Sequence, residues 1–247
     1  MPNSERRFSV GEPVVQIQKN RQYPPRQTVE AVYLPVTVDG QPLHFSVSLG
    51  SITEAPAEAI LCPSNPWFGL AMGAVENAIR KDAGSEPFDA ADKYMAQKEI
   101  DIPGFTREDG VPYGAARAFP SGKLAAHGIK HIIFSNVLPN HERLSEEMVA
   151  RCIGYALLEA DRVQAKSLAV PAIGTGFIGA MQGFSMVESF AGTVKGLERY
   201  HAFRQDVGRE RIAEKLSLVI YAQANYDNAV QVSDLIRDVV KRIDTLK

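Results

Sequence analysis

The stretch Ser167-Leu-Ala-Val-Pro-Ala-Ile-Gly-Thr-Gly-Phe-Ile-Gly179 decides how the rest of the chain is read. Its apolar run, Leu168 to Ile173, reads as a short buried strand. The run then breaks into Gly174, Thr175, Gly176, Phe177, Ile178 and Gly179, and a helical pattern begins after Ser185. Strand, glycine loop and helix in that order turn backbone N–H groups toward an anion, because glycine admits φ > 0 and lets a phosphate approach closely. A second small-residue loop, 65–75, lies between the apolar run Ala57–Leu61 and a helical pattern over Glu76–Ala83 that Gly84 closes. In an open α/β sheet, ligands sit beyond the carboxyl ends of the strands. One glycine cluster is most often a tight turn. Two of them, each between a strand and a helix, predict a cleft that grips a diphosphate through backbone donors.

Around these loops the chain reads as one domain with an extension. Residues 1–28 are polar and proline-bearing and predict an extended arm with a short strand at Val14–Gln18. From Val29 onward a single domain, 29–247, is expected. Val29–Val38 and Leu43–Leu49 are β-rich runs split by Asp39-Gly40, a strong hairpin turn. Cys62-Pro63-Ser64-Asn65-Pro66 reads as a loop, Ala90–Lys98 as a helix and Ile102–Gly114 as irregular chain. Further strands are expected over Lys130–Ser135 and Leu216–Ala222. Helices are expected over Ser145–Gln164, with Ser145 as N-cap, over Met186–Phe203, which Gly192 and Gly196 weaken, and over Tyr226–Leu246. Short apolar strands alternating with helices predict an α/β fold, a mixed, largely parallel sheet between helical layers with an N-terminal β-hairpin.

Composition narrows the function. The 247 residues are 45% hydrophobic and 23% charged with a net charge of −2, which argues against nucleic-acid binding through a broad basic face. No apolar run reaches the ~20 residues of a membrane span, and the polar start carries no signal-peptide pattern. A cytoplasmic location is the expectation. Cys62 and Cys152 lie far apart in apolar segments and read as reduced buried thiols. The five histidines are scattered, so no metal site is expected, and no cofactor. Gly174-x-Gly176-x-x-Gly179 satisfies a dinucleotide fingerprint, but the next strand ends Tyr221-Ala-Gln-Ala-Asn225 without the acidic residue that reading requires.

At this point the residues resemble a known family. Ala59-Ile-Leu-Cys-Pro-Ser-Asn65 followed by Gly73-Ala-Val-Glu-Asn-Ala-Ile-Arg-Lys-Asp-Ala-Gly84 is similar to the macrodomain signature. Val111-Pro-Tyr-Gly-Ala-Ala-Arg117 resembles the family's Pro-x-Gly-x-Ala segment, and Val170–Gly179 its second phosphate loop. The resemblance runs in the family's order from about Phe45 onward. It implies a three-layer α/β/α domain that binds ADP-ribose or a related nucleotide diphosphate, with ADP-ribose, an ADP-ribosylated protein or an ADP-ribosylated nucleic acid end as partner. It places Asn65 at the distal ribose, Gly73, Ala74 and Val75 with Gly174, Thr175, Gly176 and Gly179 around the diphosphate, Phe177 and Ile178 over the phosphate-ribose, and Tyr226 beside the adenine. Ser51 and Ile52 stand where the family has Gly-Asp-Ile, so Ser51 replaces a charged acceptor and adenine selection is expected to weaken.

Some members hydrolyse ADP-ribosyl bonds, which makes Asn65 and Glu76 the catalytic candidates. Glu76 also reads as an exposed first-turn carboxylate that favours the helix N-terminus, and Asn77 as a helix-surface residue. Leu70 and Met72 bring bulk into a loop that the family fills with glycine. Two outcomes stand beside each other: an ADP-ribosyl hydrolase, and a non-catalytic reader or scaffold, with self-association through the N-terminal arm.

Overall fold

The structure, a computed structural model, describes residues 8–10, 14–18, 29–38, 41–69, 73–138, 143–207 and 215–220. Its strands are β1 (Phe8–Val10), β2 (Val14–Gln18), β3 (Val29–Val38), β4 (Gln41–Leu49), β5 (Ala59–Ser64), β6 (Ala116–Pro120), β7 (His131–Asn136), β8 (Ser167–Pro171) and β9 (Lys215–Ile220). Its helices are α1 (Ala74–Ala83), α2 (Glu86–Met95), α3 (Glu146–Arg162), α4 (Phe177–Gln182) and α5 (Met186–Asp206). The described strands form one sheet in the order β1-β3-β4-β9-β8-β5-β7-β6, with β2 also paired to β3. Strands β4, β9, β8, β5 and β7 run parallel. Antiparallel β6 closes one edge, and the β3–β4 hairpin with β1 and β2 extends the other.

Side-chain alternation explains why both faces are covered. Leu61, Ile133, Leu168, Val170, Leu216 and Leu218 point to one face and pack with α3 and α5. Their neighbours Ile60, Cys62, Ile132, Phe134, Ala169 and Val219 point to the other and pack with residues of α1 and α2. Parallel strands apolar on both faces need a helical layer on each side, and the result is the expected three-layer α/β/α arrangement. Both cysteines are buried and free.

Two expectations need correction, and one strand was not expected. The segment 62–64 is not a loop: β5 runs through Pro63 to Ser64, paired with Phe134–Asn136 of β7. A proline is tolerated there because β8 pairs with β5 only at Ala59 and Ile60, so beyond Ile60 that side of the strand asks for no N–H donor. The second helix starts at Glu86 and ends at Met95, earlier than the apolar spacing suggests, because Pro87 sits in its first turn where its missing N–H costs nothing. Strand β6 has no clear apolar alternation in sequence and forms by pairing with β7. The expected helix over 226–246, with Tyr226, lies outside the described residues, as do Asp39, Gly40, Leu70 and Met72.

Gly192 and Gly196 also change meaning. A Cβ at Gly192 would lie 2.6 Å from Val149 Cβ, and one at Gly196 would lie 2.7 Å from both the Ala150 carbonyl oxygen and Ile153 Cβ. The glycines weaken α5 locally but bring it against the backbone of α3. Lys195 bonds Glu146 at 2.5 Å, and Arg199 pairs with Glu147, along the flank of this contact. Gly196→Ala is expected to lower stability by about 1–3 kcal/mol through overpacking. Gly154→Ala, whose Cβ would meet nothing nearer than 3.8 Å, should be neutral or stabilising by up to about 1 kcal/mol. Urea denaturation of the two variants checks the contrast.

Candidate functional site

The carboxyl ends of β4, β5 and β8 each lead into a segment carrying predicted site residues. Past β4, the Gly50 N–H bonds the Ile220 carbonyl at the end of β9 at 2.9 Å. Ser51 follows, partly exposed, and then the single 3₁₀ turn Ile52–Glu54, whose Ile52 is buried.

Past β5 the chain turns sharply at Asn65. This residue is buried, and its Oδ1 accepts from the Trp67 N–H at 2.8 Å while its carbonyl accepts from the Phe68 N–H at 3.1 Å. Oδ1 already serves the turn with one of its lone pairs, and the NH2 of the carboxamide can meet a ligand as a donor. Phe68 takes the left-handed conformation at φ 53° and is fully buried, its ring edge-on to Phe119 at 6.2 Å. A non-glycine residue there costs about 1–2 kcal/mol, which burial of the ring offsets.

The segment 106–114 braces this turn from outside. Val111 N–H donates to the Pro66 carbonyl at 2.9 Å, and a Cβ at Gly110 would lie 2.5 Å from that same oxygen. The bracing depends on Asn136, fully buried at the end of β7. Its Nδ2 donates to the Val111 carbonyl at 2.9 Å, and its Oδ1 accepts from the Leu138 N–H at 3.1 Å. Asn136 was absent from the sequence reading. It ends a strand run, and nothing in its neighbourhood distinguishes it from a turn asparagine.

The first loop ends at Gly73, the N-cap of α1, which has extended geometry and no capping side chain. The N–H groups of the first turn, at Ala74 and Val75, therefore have no capping side-chain acceptor. No described atom comes within 4 Å of where a Gly73 Cβ would be. The second loop repeats the arrangement. Gly176 caps α4, again without a capping side chain, and again no described atom lies within 4 Å of its Cβ position.

The other glycines of the second loop do different work. Gly174 needs its positive φ of 80°. A Cβ at Gly179 would fall 1.4 Å from the Gly174 carbonyl oxygen, so the loop folds tightly onto itself there. Thr175 closes it by donating to the Ala172 carbonyl at 2.8 Å. Gly176, at an ordinary φ of −84°, is the glycine of this loop with no described atom within 4 Å of its Cβ position. Backbone around Phe177 and Ile178 is the first turn of α4.

Glu76 differs from the exposed carboxylate expected. It is 2% exposed, its Oε1 receives Arg80 Nη2 at 3.3 Å, and its buried Oε2 has no hydrogen-bond partner among the described residues. Burial raises its pKa above the ordinary carboxylate value, and the Arg80 guanidinium only partly opposes that shift. Burial, with the Glu76 charge nearby, also pushes the Cys62 thiol well up. Arg80 is held in turn by the Gly69 carbonyl at 3.4 Å and by the Phe88 ring, 3.8 Å from its guanidinium carbon. It therefore ties α1 to the base of the first loop. Asn77 is exposed, as expected. Among the described residues no group of acidic, histidine or cysteine side chains could hold a metal, and no helix is long and apolar enough to cross a membrane.

Two glycine N-caps without capping side chains follow parallel strands of one doubly covered α/β/α sheet, an arrangement whose backbone donors suit an anion. Residues 68–183 match the family model described as Macro domain. An uncharacterized protein of Saccharolobus solfataricus is 30% identical over 138 residues, covering 56% of this chain and 69% of that one. The Oceanobacillus iheyensis macrodomain with ADP superposes with a TM-score of 0.60 at 18% identity, covering 83% of this chain and 94% of that one. The Trypanosoma brucei macrodomain in complex with ADP-ribose gives 0.54 at 15%, covering 81% and 68%. The chain belongs to the macrodomain family.

Two outcomes test the geometry of the site. Asn136→Leu leaves the Val111 carbonyl and the Leu138 N–H unpaired and should cost about 1–3 kcal/mol in denaturant unfolding. For Glu76, a carboxyl whose folded pKa is raised contributes stability below its unfolded pKa and loses it as pH rises through the folded value. Glu76→Gln should therefore gain on the wild type as pH is taken from 4 to 7, as read by thermal unfolding at each pH.

Proposed function

We propose that this chain binds ADP-ribose, gripping the diphosphate between the N-termini of α1 and α4. The observation that carries the reading is the matched pair of glycine N-caps without capping side chains, Gly73 and Gly176, each following one of the adjacent parallel strands β5 and β8 and each with no described atom within 4 Å of its Cβ position. A diphosphate carries charge on both phosphates, and two helix N-termini suit it better than one. The solved macrodomains with ADP and with ADP-ribose support the choice of ligand. In this reading Asn65 donates its amide N–H to a distal-ribose hydroxyl, and Val75, Thr175, Phe177 and Ile178 line the path between the loops. Ser51 and Ile52 meet the base, with Tyr226 as its stacking partner.

A second reading adds hydrolysis of an ADP-ribosyl linkage, with Glu76 as base toward a water. The unpartnered Oε2 and raised pKa of Glu76 favour it. The alternative is a reader or scaffold without turnover, in which the same carboxylate only anchors Arg80.

Calorimetric titration of the full chain with ADP-ribose tests the binding reading. Saturable heat is expected from the wild type. Gly176→Glu should lose at least about 1.4 kcal/mol of binding, a tenfold change, because its side chain enters the open space beside the loop. Absence of heat at millimolar ligand would sink the proposal. For the hydrolytic reading, release of ADP-ribose from a modified protein should fall in both Asn65→Ala and Glu76→Gln; turnover unchanged in both removes it.

A further inference from the structure

Three side chains at the end of β4 form a chain in which every proton has one place to go. The buried Thr53 Oγ1 lies 2.6 Å from Asp82 Oδ2, in the last turns of α1, and 2.8 Å from Ser51 Oγ. A carboxylate only accepts hydrogen bonds, so Thr53 commits its single proton to Asp82. Its oxygen is then left with lone pairs, and in the contact with Ser51 the serine must donate. Ser51, its own proton turned inward, faces outward as an acceptor only. Hydrogen bonds in series polarise one another, so the charge on Asp82 strengthens that acceptor.

We infer that Asp82, acting through Thr53, fixes Ser51 as an obligate acceptor and thereby selects a ligand base bearing an exocyclic amino group over one bearing a carbonyl at the same position. The inference rests on the proposed ligand, whose base lies beside Ser51. A 6-aminopurine presents N–H donors where a 6-oxopurine presents an acceptor oxygen. Two acceptors facing each other leave both unpaired, the arrangement that binding sites reject most strongly. Serine in place of aspartate therefore does not abandon adenine selection. The negative charge has moved back by two hydroxyls, and the direction of the outermost hydrogen bond is preserved. Asp82 is a positioning residue; Ser51 is the group that meets the base.

The test compares ADP-ribose with inosine diphosphate ribose, which carries a carbonyl for the amino group and a proton on the adjacent ring nitrogen N1, by calorimetry on the full chain. The wild type should prefer the amino ligand by about tenfold or more. Asp82→Ala, at an exposed position, frees the Thr53 proton and should bring the ratio to within about threefold of unity, as should Thr53→Val. Thr53→Ser keeps the hydroxyl and should keep the preference. Because Thr53 is buried, Asp82→Ala carries the test if Thr53→Val does not fold. Equal wild-type affinities overturn the inference alone. So does an Asp82→Ala variant in which both affinities fall together with the ratio intact, since that is the behaviour of a structural pin. A wild type that binds neither ligand overturns the proposed function and this inference with it.

Discussion

The carboxamide of Asn136 holds the turn on which the site is built. It lies where β5 and β7 end side by side, and it satisfies two backbone groups that the strands have released, the Val111 carbonyl and the Leu138 N–H. Through Val111 it fixes the carbonyl of Pro66, and through Pro66 the geometry in which Asn65 presents its amide and Phe68 accepts a left-handed backbone. The Val137 N–H, on the Ser64 carbonyl at 2.9 Å, completes the frame. A buried polar network of this kind is stabilising only if every member is satisfied. Here Asn136 satisfies both backbone groups through one carboxamide, donating with Nδ2 and accepting with Oδ1.

The two helical layers support that edge by different means. On one face, aromatic rings lock α2 and β6 to the sheet: Phe88 stands edge-on to Phe134 at 5.3 Å, and Phe119 to Phe134 at 5.4 Å. On the other, glycines let α5 approach α3 closely enough for backbone and Cβ atoms to touch. Dispersion over many close contacts replaces the large side chains. The first glycine loop leads into α1 in one layer, and the second into α4, just ahead of α5 of the other.

Much of this was legible in the chain. Glycine loops after apolar runs marked both strand-to-helix connections, β5 to α1 and β8 to α4, and Ser145 with Glu146 and Glu147 marked the start of α3, where Ser145 Oγ accepts from the Met148 N–H at 3.3 Å. What escaped depends on partners distant in sequence. Pro63 reads as a loop residue until one sees that β8 has left β5 by that point. Glu76 reads as a surface carboxylate because its place in the first turn is typical of one; its burial comes from the chain packed around it. Gly192 and Gly196 read as weaknesses until Val149, Ala150 and Ile153 are set against them. Thr53 and Asp82 carry no local signal at all, since their relation exists only once α1 lies beside the end of β4.

The parting of β5 from β8 after Ile60 has a thermodynamic consequence. The two halves of the sheet, β4-β9-β8 and β5-β7-β6, are stitched by β5–β8 pairing at Ala59 and Ile60 and unpaired beyond it, toward the carboxyl ends of the strands. Each half owns one of the two glycine loops. Under the proposed function, a molecule held by both loops would span this junction. By linkage, free energy that such a ligand gained from bridging would appear as cohesion between the halves. Occupancy of the edge would thus be legible far from it, in the amide protection of the strands that meet there.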